Sequence, residues 1–325
     1  MNILVLGGAG YIGAHICADL LEAGHSITVF DNMSKGDKRN LFPNAEFFFG
    51  DICKPDDLDV VMSKTKFEAV FHFAAFKAAG ESMFKPEIYA VNNIIGSINV
   101  LNKMVEHQIK YIIFSSTAAS YGEPDYIPVD ENHKVHPENY YGYSKITIEE
   151  NIRWYAKLKN IRFAILRYFN AAGYDVRGRI CSIEKECTNL IPVAMETLFG
   201  KREYLPVYGA DYPTRDGSCI RDFIHPNDLA DAHIHSLDYL IHNPDNLLIN
   251  LSQNYGISVF EVINAIEKVI GKKIKYKIVD RRAGDPCTVI ASNQLALKKI
   301  GWSPKHSDIE TIIDTTFKVY NKIYS

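Results

Sequence analysis

Two groups of residues in this chain can together oxidise an alcohol. Tyr141 and Lys145 stand four residues apart in Tyr141-Gly-Tyr-Ser-Lys145, a spacing that sets a phenol and an ammonium on one face of a helix. At about 100° per residue, Tyr141 lies roughly 40° from Lys145, whereas Tyr140 lies roughly 140° away and Tyr143 faces off the stripe. A nearby ammonium favours the phenolate. Tyr141 is therefore the candidate base, and Lys145 is expected to lower its pKa. Far upstream stands Gly7-Gly-Ala-Gly-Tyr-Ile-Gly13, between a short apolar run and a helical pattern. Glycines at such a turn let the backbone approach a pyrophosphate, whose charge is held by N–H groups at the helix N-terminus. A dinucleotide that accepts hydride and a phenol that takes a proton supply both halves of the oxidation. The Tyr/Lys spacing by itself reads equally as a surface pair on a helix; the glycine loop in the same chain turns the reading towards chemistry.

These groups need a scaffold, and the apolar pattern provides one. Asn2–Leu6 suits a buried parallel strand. Ile12, Ile16 and Leu20 then repeat at helical spacing up to Gly24, and a second strand, Ser26–Phe30, ends at Asp31. An acid about 20 residues beyond the glycines bonds the adenosine ribose diol and repels a 2′-phosphate, which favours NAD over NADP. Further strands are expected at Glu46–Phe49, Ala69–Phe73, Tyr111–Ser115 and Arg162–Arg167, with helical segments between most of them. Six such strands predict an α/β fold with a doubly wound parallel sheet, binding its ligand outside the carboxyl ends of the strands. Asp31, Asp51, the run His72-Phe-Ala-Ala-Phe-Lys77, Ser115-Ser-Thr117 and Phe169-Asn170 all fall there. Thr117 offers a hydroxyl to share a substrate proton, or simply bonds local backbone as strand-end threonines often do.

Beyond residue 170 the alternation weakens. Helical patterns return at Asn227–Ile241, Ser258–Ile270 and Asp308–Tyr324. The division expected is a dinucleotide-binding domain over 1–169 and a smaller, less regular α/β substrate domain over 170–325, with some segments interleaved. Arg221, Arg281 and Arg282 are candidates for a diphosphate, because guanidinium pairs bidentately with its oxygens; as surface residues they would need no such role. His72 and His225 stand in apolar contexts without a metal-spaced partner, and no metal is expected.

Composition narrows the class. Of 325 residues, 47% are apolar and 23% charged, ordinary for a globular enzyme. A net charge of −3 gives no sign of a nucleic-acid or anionic-membrane partner. The six cysteines include no Cys-x-x-Cys spacing, which argues against zinc and a disulfide framework and fits a reducing cytoplasm. No leader pattern precedes the first strand, and no apolar run approaches the roughly 20 residues that span a bilayer.

The motifs also occur in a telling order. Gly7-Gly-Ala-Gly-Tyr-Ile-Gly13, Asp31-Asn32, Gly50-Asp-Ile52, Ala74-Ala-Phe-Lys-Ala-Ala-Gly-Glu-Ser82 and Ser115-Ser-Thr-Ala-Ala-Ser-Tyr-Gly122 precede the Tyr141 motif. Arg167-Tyr-Phe-Asn170, Asp211-Tyr-Pro-Thr-Arg-Asp-Gly217, Arg221-Asp-Phe-Ile-His225 and Arg281-Arg-Ala-Gly-Asp285 follow it. Together they resemble the UDP-glucose 4-epimerases (UDP-galactose 4-epimerases) of the extended short-chain dehydrogenase/reductase superfamily, over nearly the whole chain.

The resemblance implies a resident NAD and a UDP-hexose substrate. Tyr141 would take the proton of the sugar 4-hydroxyl while C4 gives hydride to NAD. The 4-ketosugar would turn about its diphosphate link and be reduced on its other face. Lys145 would bond the nicotinamide ribose and Thr117 the reacting oxygen. Gly7, Gly10, Tyr11, Ile12, Gly13, Asp31, Asn32, Met33, Asp51, Ile52, Phe73, Ala74, Ala75, Lys77, Asn92 and Phe169 would contact the cofactor. Lys77, Asn170, Asn189, Leu190, Tyr208, Arg221, Arg282, Asp285 and Val289 would join Thr117 and Tyr141 around the UDP-sugar. Related 4,6-dehydratases carry Asp-Glu after the strand-end threonine, and UDP-glucuronate decarboxylases a Glu; Ala118 and Ala119 cannot do that acid–base work. Tyr140, Thr188 and Ala283 depart from the usual epimerase residues, and Thr188 could weaken one substrate contact. The small Val289 is expected to leave room beside C2, so that UDP-N-acetylhexosamines are accepted too. The alternatives are the same mechanism on a UDP-pentose or uronate, or a non-catalytic dinucleotide sensor. A homodimer is expected through Asn92–His107 and Ile146–Lys157, whose apolar residues (Ile94, Ile95, Ile98, Leu101, Met104; Ile146, Ile148, Ile152, Trp154) exceed the one stripe that covering a sheet needs.

Overall fold

The computed structural model describes residues 1–184, 187–282 and 286–325. The six expected strands form: β1 Asn2–Leu6, β2 Ser26–Asp31, β3 Glu46–Phe49, β4 Ala69–His72, β5 Tyr111–Thr117 and β6 Arg162–Tyr168. They are joined by a seventh, Leu247–Leu251, which pairs with β6, and every pairing is parallel. The order runs from Leu247–Leu251 through β6, β5, β4 and β1 to β2 and β3. The reversal of direction lies between β1 and β4, so their carboxyl ends open a crevice. Both faces of the sheet are covered, which explains why its strands read as continuous apolar runs. On one face Ile3, Val5, Val29, Phe71 and Ile113 pack with the helices Tyr11–Glu22 and Pro226–His242. On the other, Leu4, Leu6, Phe30, Val70 and Ile112 pack with Pro55–Lys64, Gly96–Glu106 and Tyr140–Lys159.

The seventh strand lies in the part of the chain expected to form the substrate region. Its Leu-Leu-Ile-Asn-Leu run is short and isolated, and only the helix Pro226–His242 before it returns it to the sheet edge. The rest of the C-terminal region builds small sheets: Leu205–Tyr208 with Tyr276–Val279, Asn170–Ala171 with Phe223–Ile224, and Ile220–Arg221 between Ile257–Ser258 and Thr288–Val289. The three expected helices there form as Pro226–His242, Val259–Ile270 and Ile309–Tyr324. Ser258 and Asp308 stand at the N-caps of the last two, each accepting a backbone N–H. Among the described residues no helix is long and apolar enough to cross a membrane.

Candidate active site

The turn after β1 brings four backbone segments close together. Gly7 has φ +80°, a left-handed conformation, and a Cβ there would lie 2.6 Å from the nitrogen of Ala74 at the end of β4. A Cβ on Gly13 would collide with the Gly7 carbonyl. Gly10 caps the helix Tyr11–Glu22 with no side-chain bond and no acid in the first turn, which leaves the helix N–H groups to an anion. Ile12 leans on the sheet core. Asp31 ends β2 and takes the N–H of Ala9 at 3.0 Å and of Met33 at 2.8 Å; burial raises its carboxyl pKa. Asn32 donates to Asp51 at 3.1 Å, which ties the ends of β2 and β3. Phe73, Ala74 and Ala75 follow β4 half-buried, as Phe169 follows β6. These residues fit a dinucleotide along the crevice. Ile52 is 3% exposed and its side chain lies in the core beneath Gly96, not in the cleft.

The Tyr140–Lys159 helix delivers the proposed base. Its N-terminus is capped by Asn139, which accepts from Gly142 N at 2.9 Å. A Cβ on Gly142 would lie 2.5 Å from the Ala119 carbonyl, so this glycine lets the helix dock on the turn after β5. Tyr141 N is held by Ser82 Oγ at 3.0 Å, which gives the Gly-Glu-Ser82 motif a task. The Tyr141 phenol is set near the Thr117 hydroxyl, which favours its ionised form. Thr117 Oγ1 accepts Ala119 N at 3.1 Å, the local backbone bond expected of a strand-end threonine. Lys145 is buried, donates to the Ser115 carbonyl at 2.8 Å, and lies 4.9 Å over the Phe114 ring.

Here the electrostatics differ from expectation. Burial pushes Lys145 down to about 7, opposed by Glu149. Burial also raises the Tyr141 phenol, and the opposing influence is the Thr117 hydrogen bond. Helical spacing placed an ammonium near a phenol, but it could not show that both would be taken out of water, where desolvation outweighs a neighbouring charge.

Sequence reasoning missed three supports. Asn93, next to the expected Asn92, is the buried one: it bonds both main-chain groups of Phe76, at 2.9 and 3.0 Å, and donates to Ser144 Oγ at 3.1 Å. Asn92 is half-buried and donates to Asn93. Arg167 and Glu149, 3% and 1% exposed, form a two-pronged ion pair at 2.9 and 2.5 Å beneath the Tyr141 helix, and Ser116 Oγ donates to the same carboxylate. Tyr168 bonds Ser115 Oγ. A polar residue inside an apolar strand was the available signal for Arg167.

Beside the crevice is a cavity of about 280 Å³. Asn170, Asn189, Leu190, Tyr208, Arg221 and Arg282 line it, as does Thr188. Arg282 stacks 3.8 Å over the Tyr208 ring. Arg281 goes elsewhere, to Asp211 at 2.8 Å and the Tyr212 ring at 4.1 Å, because consecutive side chains of an extended segment diverge. Lys77 ion-pairs with Glu184 and lies 5.6 Å over Tyr11, whose hydroxyl donates to the Gly173 carbonyl. Val289 is half-buried in the strand beside Arg221 and is not among the residues lining the cavity. Asp285 and Ala283 lie outside the described residues. His72 bonds Ser97 at 2.8 Å, and His225 caps the helix Pro226–His242.

The pattern of the NAD dependent epimerase/dehydratase family matches residues 3–251, from β1 through the seventh strand. The chain belongs to this family. The UDP-glucose 4-epimerase of Halalkalibacterium halodurans is 43% identical over 314 residues, 97% of this chain and 94% of that one. The crystal structure of the UDP-glucose 4-epimerase from Brucella ovis in complex with NAD superposes with a TM-score of 0.95 at 38% identity, covering 98% of each chain. The UDP-Glc/GlcNAc 4-epimerase of Campylobacter jejuni gives 0.87 at 38% identity, covering 99% of each.

Proposed function

We propose that this chain is an isomerase that interconverts UDP-glucose and UDP-galactose at C4, working in the cytoplasm as a homodimer. The observation that carries the reading is the Tyr141 phenol set near the Thr117 hydroxyl, its helix held by Ser82 and docked on the turn after β5 at the mouth of a parallel-sheet crevice, with Ala118 and Ala119 following. A proton-transfer pair is present, and the acids that would eliminate water or assist decarboxylation are not. Gly7, Gly10, Tyr11, Gly13, Asp31, Asn32, Met33, Asp51 and Asn92 would hold NAD, which supplies hydride acceptance and return. Thr117 passes the 4-hydroxyl proton to Tyr141 and fixes the reacting oxygen. Lys145, fastened to Ser115, holds the helix and would bond the nicotinamide ribose. Arg221 and Arg282 take the diphosphate, with Asn170, Asn189, Leu190 and Tyr208 around the nucleotide and sugar. Incubating the purified protein with a panel of UDP-sugars tests this. UDP-galactose must give UDP-glucose; conversion of UDP-pentoses or uronates alone would favour the second substrate class, and no conversion with bound NAD would favour a sensor.

Replacing Lys145 by Met should shift the acid limb of the pH–rate profile upward. Tyr141 already stands above its usual pKa through burial, with Thr117 opposing that rise; an ammonium on Lys145 in the working enzyme would further favour the phenolate, and the variant removes it. Activity should recover partly at high pH, and a profile overlying the parent's would remove Lys145 from tuning the phenol.

The dimer face is narrower than the apolar count suggested. Leu101, Met104, Ile148 and Ile152 belong to the core, and Ile94 and Ile98 pack against it. Ile95 and Trp154 remain exposed, joined by Val91, Tyr143 and Leu158 on the same two contacting segments. Trp154→Glu should convert a dimer into a monomer in light scattering at micromolar concentration; a monomeric parent would overturn the interface.

Val289→Tyr tests breadth. The parent should turn over UDP-N-acetylglucosamine, and the added ring should remove that activity while sparing UDP-galactose, since overpacking costs about 1–3 kcal/mol. No turnover of the N-acetyl sugar by the parent would restrict the reading to hexoses.

A further inference from the structure

Arg221 and Asp222 are consecutive in an extended segment, so their side chains point opposite ways. Arg221 lines the cavity; Asp222 is 0% exposed behind it. The buried carboxylate accepts Gln253 N at 2.9 Å and Ala291 N at 3.4 Å, and the neighbouring Ser252 hydroxyl takes Asn254 N at 3.2 Å and donates to the Ala291 carbonyl at 2.9 Å. Its main chain is as heavily used. Asp222 N donates to Val289 O at 3.2 Å, and Asp222 O takes both Asn170 N at 3.1 Å and Asn170 Nδ2 at 3.0 Å.

These bonds lead back to the cavity. The Ala291 contact holds the end of Thr288–Val289 against Ile220–Arg221, and that pairing places the Cys287 carbonyl 3.4 Å from Arg221 Nη1, beside the Ile220 carbonyl at 2.8 Å. Two carbonyls thus help to aim the guanidinium, and their relative position depends on the Asp222 carboxylate behind them. We propose that Asp222 is a positioning residue for UDP-sugar binding, acting through Arg221 by locking the strands on either side of it. The inference rests on the diphosphate role given to Arg221 above.

Asp222→Asn keeps the shape but turns an amide N–H₂ towards backbone N–H donors, which undoes the lock locally. In the NAD-loaded protein, UDP affinity should fall about tenfold, which is about 1.4 kcal/mol, and KM for UDP-galactose should rise in step. Turnover at saturation and NAD content should hold, whereas general loosening would lower both. A double-mutant cycle separates the claims. If Arg221→Ala alone leaves UDP affinity unchanged, the reading of Arg221 fails. If Arg221→Ala weakens UDP but Asp222→Asn costs its full tenfold on top, Asp222 does not act through Arg221 and this inference is overturned. The result expected is a further loss under about threefold in that background. Ser252→Ala, which takes the hydroxyl donor away from the Ala291 carbonyl and keeps the Asp222 carboxylate, should loosen the Ala291 anchor and weaken UDP in the same direction by a smaller factor. Should Asp222→Asn fail to fold, unchanged UDP affinity in Ser252→Ala overturns the proposal.

Discussion

Tyr141→Phe should fold, retain NAD and lose most of its turnover. The phenol has one feature that phenylalanine lacks, a hydroxyl set near Thr117 where the substrate proton is expected to go. Its main-chain support comes from Ser82 and Asn139 and does not involve the hydroxyl, so the helix keeps its place. General acid–base groups typically contribute about 10²–10⁴-fold. Steady-state turnover of UDP-galactose, read beside the cofactor absorbance of the purified variant, checks both halves. Near-normal turnover would take the base role from Tyr141 and leave Thr117 as the next group to examine.

Arg167→Leu should be strongly destabilising. Glu149 would keep its buried carboxylate with Ser116 as its remaining partner, after losing a guanidinium at 2.9 and 2.5 Å. Removing one member of a buried pair costs about 3–5 kcal/mol, because an uncompensated charge is left in the interior. The double variant Glu149→Leu/Arg167→Leu should recover much of the loss, since apolar replacement of a whole buried pair is often neutral. Urea midpoints of parent, single and double variants decide this. A single variant within about 1 kcal/mol of the parent would mean that water reaches Glu149.

What lies within one element was legible in the residues. The helical phase that picked Tyr141 over Tyr140, the glycine turn after β1, and all six expected strands to within two residues of each end follow from local spacing. Arg221 and Arg282 were named for their guanidinium groups and Asn170 and Tyr208 from the family resemblance, and one cavity gathers them.

The tertiary structure decided whatever depends on what lies opposite. It put Leu247–Leu251 on the edge of the main sheet, because a five-residue apolar run takes its partner from the helix that carries it there. It sent Arg281 to Asp211 and Arg282 over Tyr208, adjacent cations parted by an extended backbone. It chose Asn93 over Asn92 as the bridge from Phe76 to Ser144. It also pushed Lys145 down and Tyr141 up. Burial is a property of the surroundings on every side, and sequence spacing reports only those along one element; the residue types that do the chemistry were therefore readable, while their charge and support were set by packing.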